Sequence, residues 1–247
     1  MEALILAAGA GTRLASVHTG PKILLDFGGR TLLARHLTNL QRLGVARVTL
    51  CLGHAASEVM SATESLGDKP EVRYVRNEAY REGSIRSLWA ARDSLRGTDD
   101  LLLMDADVLY APALLERLVV SAHGNCLLLD RSFEPGEEPV KVRLQNGRIV
   151  EFSKRPDPRV AFDTEGESVG FFRLQGSALE AMWTLAEAFV ARGDAHLPHE
   201  DALRELFLRG DCRVGVEDIT GVSWMEIDFP EDLERARREI LPGADSE

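Results

Sequence analysis

The 247-residue chain is poor in cysteine, in positive charge and in long apolar runs. Cys51, Cys126 and Cys212 are odd in number and lie far apart without the spacing of a metal site, so we expect reduced thiols in a cytoplasmic protein. No stretch approaches the ~18–20 apolar residues needed to cross a bilayer. A strand-like segment begins at the N-terminus, which argues against a signal peptide. We therefore expect no membrane partner.

The charge balance excludes another class of partner. Lys and Arg number 29 against 40 Asp and Glu, for a net charge of −11, which argues against a general nucleic-acid or membrane-surface binder. The six histidines contain no His-x-x-x-His pair, so a zinc site is not expected. If the substrate is anionic, the few cations must be concentrated at one place.

Two common phosphate-binding motifs are also absent. No Gly-x-x-x-x-Gly-Lys-Ser/Thr run occurs, and the dinucleotide pattern Gly-x-Gly-x-x-Gly fails because Leu14 stands where its third glycine belongs.

A different anion site is present near the N-terminus. The apolar run Ala3–Ala7 breaks into a loop of small residues with Gly9 and Gly11, and this loop is followed by Arg13 and Lys22. Backbone N–H groups in such a loop can converge on an anion, and the two cations add full charge. We interpret this segment as a triphosphate site, because a plain strand-to-helix turn would not explain two cations among small residues.

Alternating strand and helix patterns predict an α/β fold, with a Rossmann-like, mixed and mostly parallel sheet flanked by helices. After Asp130 the loop 134–139 leads into a hairpin with an Asn146-Gly147 turn. We expect a single domain over residues 1–247, with a small inserted β-hairpin lobe at approximately 131–168. The predicted strands are Ala3–Ala7, Arg47–Leu52, Val72–Val75, Leu101–Met104, Cys126–Leu129, Val140–Leu144, Ile149–Phe152, Ser168–Leu174, a segment near Val214, and Val222–Met225. The predicted helices are Thr31–Leu43, Ala55–Leu66, Ser84–Leu95, Pro112–Ala122, Ala178–Ala191, Glu200–Leu208 and Glu231–Ile240.

Two pairs of acids follow apolar strands. Asp105 and Asp107 come at the carboxyl end of a buried strand, where open α/β sheets bind ligands. Glu226 and Asp228 repeat the arrangement. Mg²⁺ takes one or two carboxylates together with phosphate oxygens, so the acids predict a metal site if the two strand ends meet. The alternative is that Asp107 or Asp228 only caps a following helix.

Other polar residues have weaker individual signals. Lys141 and Lys154 flank the hairpin and would face the cleft from the acceptor side, although isolated lysines are usually solvated. Gly83-Ser84 opens a helix that could approach a base or ribose, or Ser84 is an ordinary N-cap. Glu200-Asp201 begins another helix, either for dipole reasons alone or as an anionic pocket for the acceptor.

The pattern Leu6-Ala-Ala-Gly9-x-Gly11-Thr-Arg13-Leu14 followed by Pro21-Lys22 resembles the sugar-nucleotidyltransferase superfamily. The match extends through Asn77…Ser87-Leu88, Met104–Asp107, Asp130-Arg131…Lys141 and Trp224…Asp228. Together these segments resemble small CTP-dependent enzymes that act on phosphocholine, 2-aminoethylphosphonate or inositol 1-phosphate. One departure is Glu82-Gly83-Ser84, where choline-type members have Thr-Asn-Asn-like residues.

The resemblance implies transfer of CMP from CTP to a small phosphate or phosphonate acceptor, with Mg²⁺ and release of pyrophosphate. It leaves open a sugar-1-phosphate nucleotidyltransferase using UTP, GTP or dTTP, a non-catalytic nucleotide sensor, and a homodimer. The implied catalytic residues are Arg13, Lys22 and Lys154, and the implied metal ligands are Asp107 and Asp228. The implied nucleotide contacts are Leu6, Ala7, Ala8, Gly9, Gly11, Thr12, Gly83, Ser84 and Asp105. The implied acceptor contacts are Asp130, Lys141, Glu200, Asp201 and Glu226.

Overall fold

The computed structural model describes residues 1–134, 136–210 and 212–245; Pro135 of the predicted loop lies outside this range. The strands are β1 Glu2–Ala7, β2 Asp26–Phe27, β3 Arg30–Thr31, β4 Arg47–Leu52, β5 Glu71–Arg76, β6 Asp100–Asp105, β7 Val108–Tyr110, β8 Cys126–Asp130, β9 Lys141–Gln145, β10 Arg148–Ser153, β11 Thr164–Gln175, β12 Gly215–Asp218 and β13 Trp224–Glu226. The helices are α1 Leu32–Arg42, α2 Ala56–Ser65, α3 Ser84–Ala91, α4 Pro112–Val120, α5 Gly176–Ala191, α6 His199–Leu208, α7 Pro230–Arg235 and α8 Leu241–Ala244. None of these helices is both long enough and apolar enough to span a membrane.

The central sheet confirms the predicted α/β class. Its main path runs β10-β9-β11-β6-β1-β4-β5, and β8 pairs with both β11 and β12. Strands β6, β1, β4 and β5 are parallel neighbours, whereas β11 is antiparallel to β6, β8 and β9. The hairpin β9–β10 extends this same sheet through β11 rather than forming a separate one.

Helices cover both faces of the sheet, which explains why its strands are almost continuously apolar. Along β1, Ala3 and Ile5 belong to the core beneath α1, α2 and α4. Leu4, between them, belongs to the opposite core beneath α3, α5 and α6. This alternation is the two-residue period of a strand buried on both sides. The carboxyl ends of the parallel strands are thereby held at one rigid edge.

A short antiparallel ribbon joins two distant parts of the chain at that edge. Strand β7 pairs with β13, with Val108 opposite Glu226. The Ile227 N–H extends the ribbon by donating to the Asp107 carbonyl at 2.9 Å. Ile227 itself is fully buried in a third core built with Leu14 and α7. The ribbon brings the segments containing Asp107 and Asp228 together.

Some predicted boundaries were wrong. The helix predicted over Glu231–Ile240 is instead α7, a π-helical turn Ala236–Ile240 and then α8. The strand predicted over Ser168–Leu174 is the twelve-residue β11, which pairs with three partners in succession. The strand predicted near Val214 is β12, and it is extended by parallel pairing with β8.

Candidate active site

A cleft of about 340 Å³ opens at the carboxyl edge of the parallel strands. Parallel pairing of β1 with β6 places Leu6 opposite Asp105, so the loop after β1 and the acids after β6 are neighbours, as the sequence predicted. The cleft is lined by Leu6, Ala7, Ala8, Gly9, Gly11, Thr12, Arg13, Lys22, Ile23, Ser84, Ser87, Asp105, Ala106, Asp107, Pro198, His199, Glu200, Glu226 and Asp228.

The small-residue loop forms one wall of the cleft. Gly11 has φ +59, and the following single turn Thr12–Leu14 closes with the Leu14 N–H donating to the Gly11 carbonyl at 3.0 Å. A Cβ atom built on Gly11 would lie 3.1 Å from Lys22 Cγ. A side chain at position 11 would therefore crowd the lysine, which explains why glycine stands where the loop passes over it.

Three carboxylates meet on the opposite wall. Asp107, Glu226 and Asp228 each offer an oxygen, and these oxygens lie within 4.8 Å of one another. Although the Glu226 residue is exposed, loss of water around its carboxylate, together with Asp107 and Asp228, raises the pKa of Glu226 well above its usual value. An all-oxygen donor set of this kind suits a hard divalent cation.

Lys22 neutralises this acidic cluster. Its ammonium donates to Asp107 Oδ2 at 2.9 Å and also to Asp228 Oδ1. Burial opposes the charge on Lys22, but the two carboxylates outweigh it and raise the pKa of the ammonium above its ordinary range. The lysine is therefore a fixed cation within the cleft.

Asp228 is directed at cations rather than at a helix end. Arg13 Nη1 lies 3.1 Å from Asp228 Oδ2. At the start of α7, Asp232 Oδ2 instead accepts hydrogen bonds from the N–H groups of Asp228 and Phe229, at 2.9 and 2.7 Å. The helix-cap alternative for Asp228 is therefore wrong.

Arg13 and Lys154 share one further partner, Glu138, across the mouth of the cleft. Both Arg13 Nη atoms donate to the Glu138 carboxylate at 3.2 Å, and Lys154 Nζ lies 3.4 Å from it. About half of the Arg13 and Glu138 side chains remains exposed. Glu138 therefore lies between two cations at the mouth of the cleft.

A second cavity of about 370 Å³ adjoins the first, with Glu226 and Asp228 in the shared wall. Its lining is mostly acidic and aromatic: Asp130, Ser132, Phe133, Glu134, Gly136, Glu137, Glu138, Pro139, Glu167, Trp224, Met225, Glu226, Asp228, Phe229, Asp232 and Arg235. Asp130 is fixed there by accepting from Trp224 Nε1 at 2.8 Å. Burial, reinforced by Asp130, raises the pKa of Glu167 to about 7.

At the floor of the first cleft, His199 lies between two acids. Its Nδ1 is 3.0 Å from Glu200 Oε2, and its Nε2 is 3.7 Å from Asp105 Oδ1. Burial disfavours the charged ring, but Glu200 and Asp105 outweigh burial and raise the pKa of His199 to about 9. Burial, with Glu200 and Asp107, raises the pKa of Asp105 to about 7. His199 in turn lowers the pKa of Glu200 to about 2 against the effect of burial.

Ser84 is the first residue of α3, and it is not the ordinary cap considered above. The residue before the helix is Gly83, and Ser84 Oγ instead accepts from the His199 N–H at 2.7 Å. A Cβ on Gly83 would lie 2.5 Å from the His196 carbonyl group. Gly83 therefore permits close backbone packing and does not line the cleft.

Two other predicted residues also lie away from the cleft wall. Lys141 Nζ donates to the carbonyls of Gly136, Pro139 and Lys154, at 2.6, 3.3 and 3.1 Å, and so holds the loop before β9. Asp201 is in the first turn of α6, where burial and Glu200 raise its pKa. Lys154 does approach the site, since it lines a small recess with Asp105, Glu200 and Glu226.

Sequence reasoning missed Glu138 and His199. Glu138 lies among other acids in a loop, and nothing in its spacing distinguishes it from solvated neighbours. His199 had a usable signal, because the positive end of the helix dipole disfavours a protonated histidine in the first turn of a helix. Ser87, which accepts from Asn77 Nδ2 at 3.0 Å, is a further wall residue that carried no separate prediction.

Known proteins with detectable sequence or structural similarity align with nearly the whole chain. CMP-5′-(3-aminopropyl)phosphonate synthase of Streptomyces rubellomurinus is 28% identical over 249 residues, covering 98% of this chain and 39% of that protein. The bifunctional IPC transferase and DIPP synthase of Rubrobacter xylanophilus is 30% identical over 248 residues, covering 99% and 53%. The chain thus spans about half or less of the length of these relatives.

The structure of the inositol-1-phosphate CTP transferase from T. maritima superposes with a TM-score of 0.79 at 24% identity, over 99% of this chain and 96% of that one. This likeness concerns the fold. The family model of the MobA-like NTP transferase domain matches residues 3–145, a range that includes the small-residue loop, Lys22 and the acids after β6. The chain belongs to this family of nucleotidyltransferases, the MobA-like NTP transferase domains.

Proposed function

We propose that the protein is a cytidylyltransferase that transfers CMP from CTP to a small phosphate or phosphonate acceptor, with release of pyrophosphate. The observation that carries the proposal is the meeting of Arg13 and Lys22 with Asp107 and Asp228 in one cleft. Cations that can bind a triphosphate and oxygen ligands that can bind a divalent ion are the two parts that a reaction at a nucleotide's phosphate groups needs. The name of one relative, CMP-5′-(3-aminopropyl)phosphonate synthase, supports a cytidine nucleotide.

The acidic cluster fits Mg²⁺. Asp107 and Asp228, with Glu226 beside them, offer carboxylate oxygens within 4.8 Å of one another, and the ammonium of Lys22 already shows that a cation is held there. We assign Asp107 and Asp228 as the ligands. When bound, Mg²⁺ would neutralise phosphate charge and orient the nucleotide.

The chain's own residues bring two anions together and compensate their charge. In the proposed reaction, an acceptor oxygen forms a bond to the α-phosphorus of CTP, the bond from that phosphorus to the bridging oxygen breaks, and pyrophosphate carries away the electron pair. Arg13 and Lys22 face the leaving phosphates, and Lys154 faces the acceptor. No general base is required, because the acceptor is already ionised near neutral pH. Positioning of this kind can contribute ~7–11 kcal/mol.

The second cavity favours an acceptor with a positively charged end. Asp130 and Glu167 face a space that Phe133, Trp224 and Phe229 also line, and aromatic faces with nearby carboxylates attract ammonium groups. This arrangement favours an aminoalkyl phosphonate or phosphocholine over a neutral polyol phosphate. Asp130 therefore remains an acceptor residue in this proposal, whereas Lys141 is assigned to the loop.

The test is pyrophosphate release measured with CTP, UTP, GTP and dTTP, each paired with 2-aminoethylphosphonate, phosphocholine, inositol 1-phosphate or glucose 1-phosphate. We expect turnover with CTP and an ammonium-bearing acceptor, and none when a chelator is present. Turnover with UTP, GTP or dTTP and glucose 1-phosphate would instead establish the sugar-nucleotide alternative. The absence of turnover with every pair, at normal nucleotide binding, would favour the sensor hypothesis.

Two variants test the roles of the residues. Asp107→Asn and Asp228→Asn should each lower turnover at least ~100-fold, the scale of losing one charge-stabilising contact. Asp201→Asn is the matched control, because Asp201 lies outside the cleft wall. Near-normal pyrophosphate release by Asp107→Asn or Asp228→Asn would remove that residue from the site.

A further inference from the structure

His199 is a buried residue with one unpartnered nitrogen beside the cleft. Its side chain is 4% exposed, and within the described residues Nε2 has no hydrogen-bond partner. Nδ1, on the other side of the ring, lies 3.1 Å from Ser84 Oγ, which also accepts from the His199 N–H. The ring is therefore oriented from behind, and Nε2 is directed toward Asp105.

Asp105 is the group through which His199 would act. Asp105 Oδ1 lies 3.7 Å from Nε2, slightly beyond a hydrogen bond, and its side chain keeps 23% exposure in the cleft. On the other side the carboxylate packs directly on Gly170, where a Cβ would overlap Oδ2. Contacts in ligand-free sites are often long and tighten when the ligand binds. A movement of the carboxylate toward Nε2 when a nucleotide binds would close this bond.

The ligand that Asp105 receives follows from its charge and place. A carboxylate repels phosphate, and it accepts from hydroxyl or ammonium groups. Asp105 is opposite Leu6 in the sheet and shares the cleft wall with Ala7, Ser84 and Ser87. It is not among the residues that line the acidic and aromatic second cavity. The hydroxyl groups of the nucleotide's sugar are the donors that fit this position.

We propose that His199 is a positioning residue whose Nε2–H fixes the Asp105 carboxylate so that Asp105 accepts a hydrogen bond from a sugar hydroxyl of the bound nucleotide. The proposal rests on the proposed function for the identity of the nucleotide. It adds a residue outside the sequence motifs and makes nucleotide binding depend on a hydroxyl group of the sugar.

Two substitutions separate the two nitrogens of the ring. His199→Gln retains a donor near the position of Nε2 and loses Nδ1, whereas His199→Asn retains a donor near Nδ1 and loses Nε2. The dissociation constants of CTP, 2′-deoxyCTP and 3′-deoxyCTP are measured by calorimetry on the full chain, with thermal unfolding recorded for each variant. Binding is used because it does not depend on turnover.

The wild-type protein should bind one of the deoxy analogues at least about tenfold more weakly than CTP, the scale of one hydrogen bond to a charged group. His199→Asn should lose that discrimination, and His199→Gln should keep most of it. Equal discrimination in the Asn variant, or loss in Gln with retention in Asn, would overturn the proposal and assign His199 to packing against Ser84. If His199→Asn leaves the dissociation constant of CTP unchanged and raises the KM of the acceptor, the proposal is also overturned, because Asp105 would then belong to the acceptor site.

Failure of the proposed function gives a different result. If CTP does not bind at all, the cytidylyltransferase assignment fails, while the link between His199 and Asp105 is still measured by the ¹⁵N signal of Nε2. That signal should shift on Asp105→Asn and stay in place on Asp201→Asn. An unmoved signal in Asp105→Asn would exclude the link.

Discussion

Lys22 Nζ lies 2.9 Å from Asp107 Oδ2, although 85 positions separate the two residues in the chain. The same ammonium meets Asp228, 206 positions away. These contacts hold the loop after β1 against the acids that follow β6 and β13. They also place a protein cation at the carboxylates that we propose as metal ligands, so the lysine and the proposed metal ion would compete for overlapping sites.

Substituting Lys22→Met should therefore have opposite effects on metal binding and on turnover. The acids lose their fixed counter-charge, so in the presence of a chelator the protein should be destabilised by about 2–4 kcal/mol. This is less than the roughly 3–5 kcal/mol of a fully buried pair, because water still reaches part of these side chains. Addition of MgCl₂ should raise the unfolding temperature more than it does for the wild type, while turnover falls at least ~100-fold. Lys141→Met is the control, since among the described residues that ammonium donates its hydrogen bonds to the carbonyl groups of Gly136, Pro139 and Lys154. Equal responses of both variants to MgCl₂ would contradict the overlap.

Glu138→Gln should lower the KM for the anionic substrates. The Glu138 carboxylate pairs with both Arg13 and Lys154, so it competes with phosphate for these cations. The contacts are half exposed, and pairs of this kind contribute about 0.5–1 kcal/mol, which corresponds to a two- to fivefold change in KM. Steady-state kinetics with CTP and with the acceptor measure it. Glu137→Gln is the control, because Glu137 pairs with Arg155 at 3.7 Å. A higher KM for Glu138→Gln would contradict the prediction and mean that Glu138 orders the site.

The sequence predicted those parts of the site that the ends of long strands position. Leu6 and Asp105 follow from two apolar strands that pair in parallel, and the acids after them appear where a sheet of this class binds ligands. A strand was predicted over Val222–Met225, where β13 lies. Its partner β7 was missed, because three residues are too few for an alternating pattern, so the ribbon β7–β13 was not predicted. Without this pairing, the sequence could predict that Asp228 lies near Asp107 only on the condition that the two strand ends meet.

The remaining differences come from packing of side chains on loops and helix ends. Lys141 was expected to face the acceptor. Its long side chain can adopt several rotamers, however, and its ammonium donates to the nearby carbonyls of Gly136 and Lys154. Gly83 was expected at the nucleotide, but the close backbone of His196 requires glycine there. Such contacts depend on the final positions of several elements, and no local pattern in the chain encodes them.

His36 should make stability depend on pH below neutrality. Its ring is fully buried, Nε2 lies 3.1 Å from the Ala106 carbonyl, and burial lowers its pKa to about 4. The unfolded chain takes up a proton near pH 6.5 and the folded protein does not, so this contribution is complete above pH 6.5 and is lost as pH falls toward 4. At 1.36 kcal/mol per pKa unit it amounts to about 3 kcal/mol.

Urea unfolding of the wild type and of His36→Gln between pH 4 and 7 measures this contribution. The free energy of unfolding of the variant should fall less steeply with acid than that of the wild type over this interval. The same substitution at the exposed His196 serves as the control. Parallel curves for the wild type and His36→Gln would show that other groups govern the acid limb.

Gly170→Ala should impair nucleotide binding through Asp105. Gly170 has φ +79, and an added Cβ would overlap Asp105 Oδ2, so the substitution both strains the backbone and pushes the carboxylate from its position beside His199. Gly193→Ala is a matched control, because Gly193 has φ +89 with nothing within 4 Å of the added Cβ. Both variants should lose about 1–2 kcal/mol of stability from the left-handed conformation. Only Gly170→Ala should weaken CTP binding, as measured by calorimetry. The loss should be about tenfold, the scale of one hydrogen bond to a charged group. Equal CTP affinities in the two variants would show that nucleotide binding does not depend on the position of Asp105.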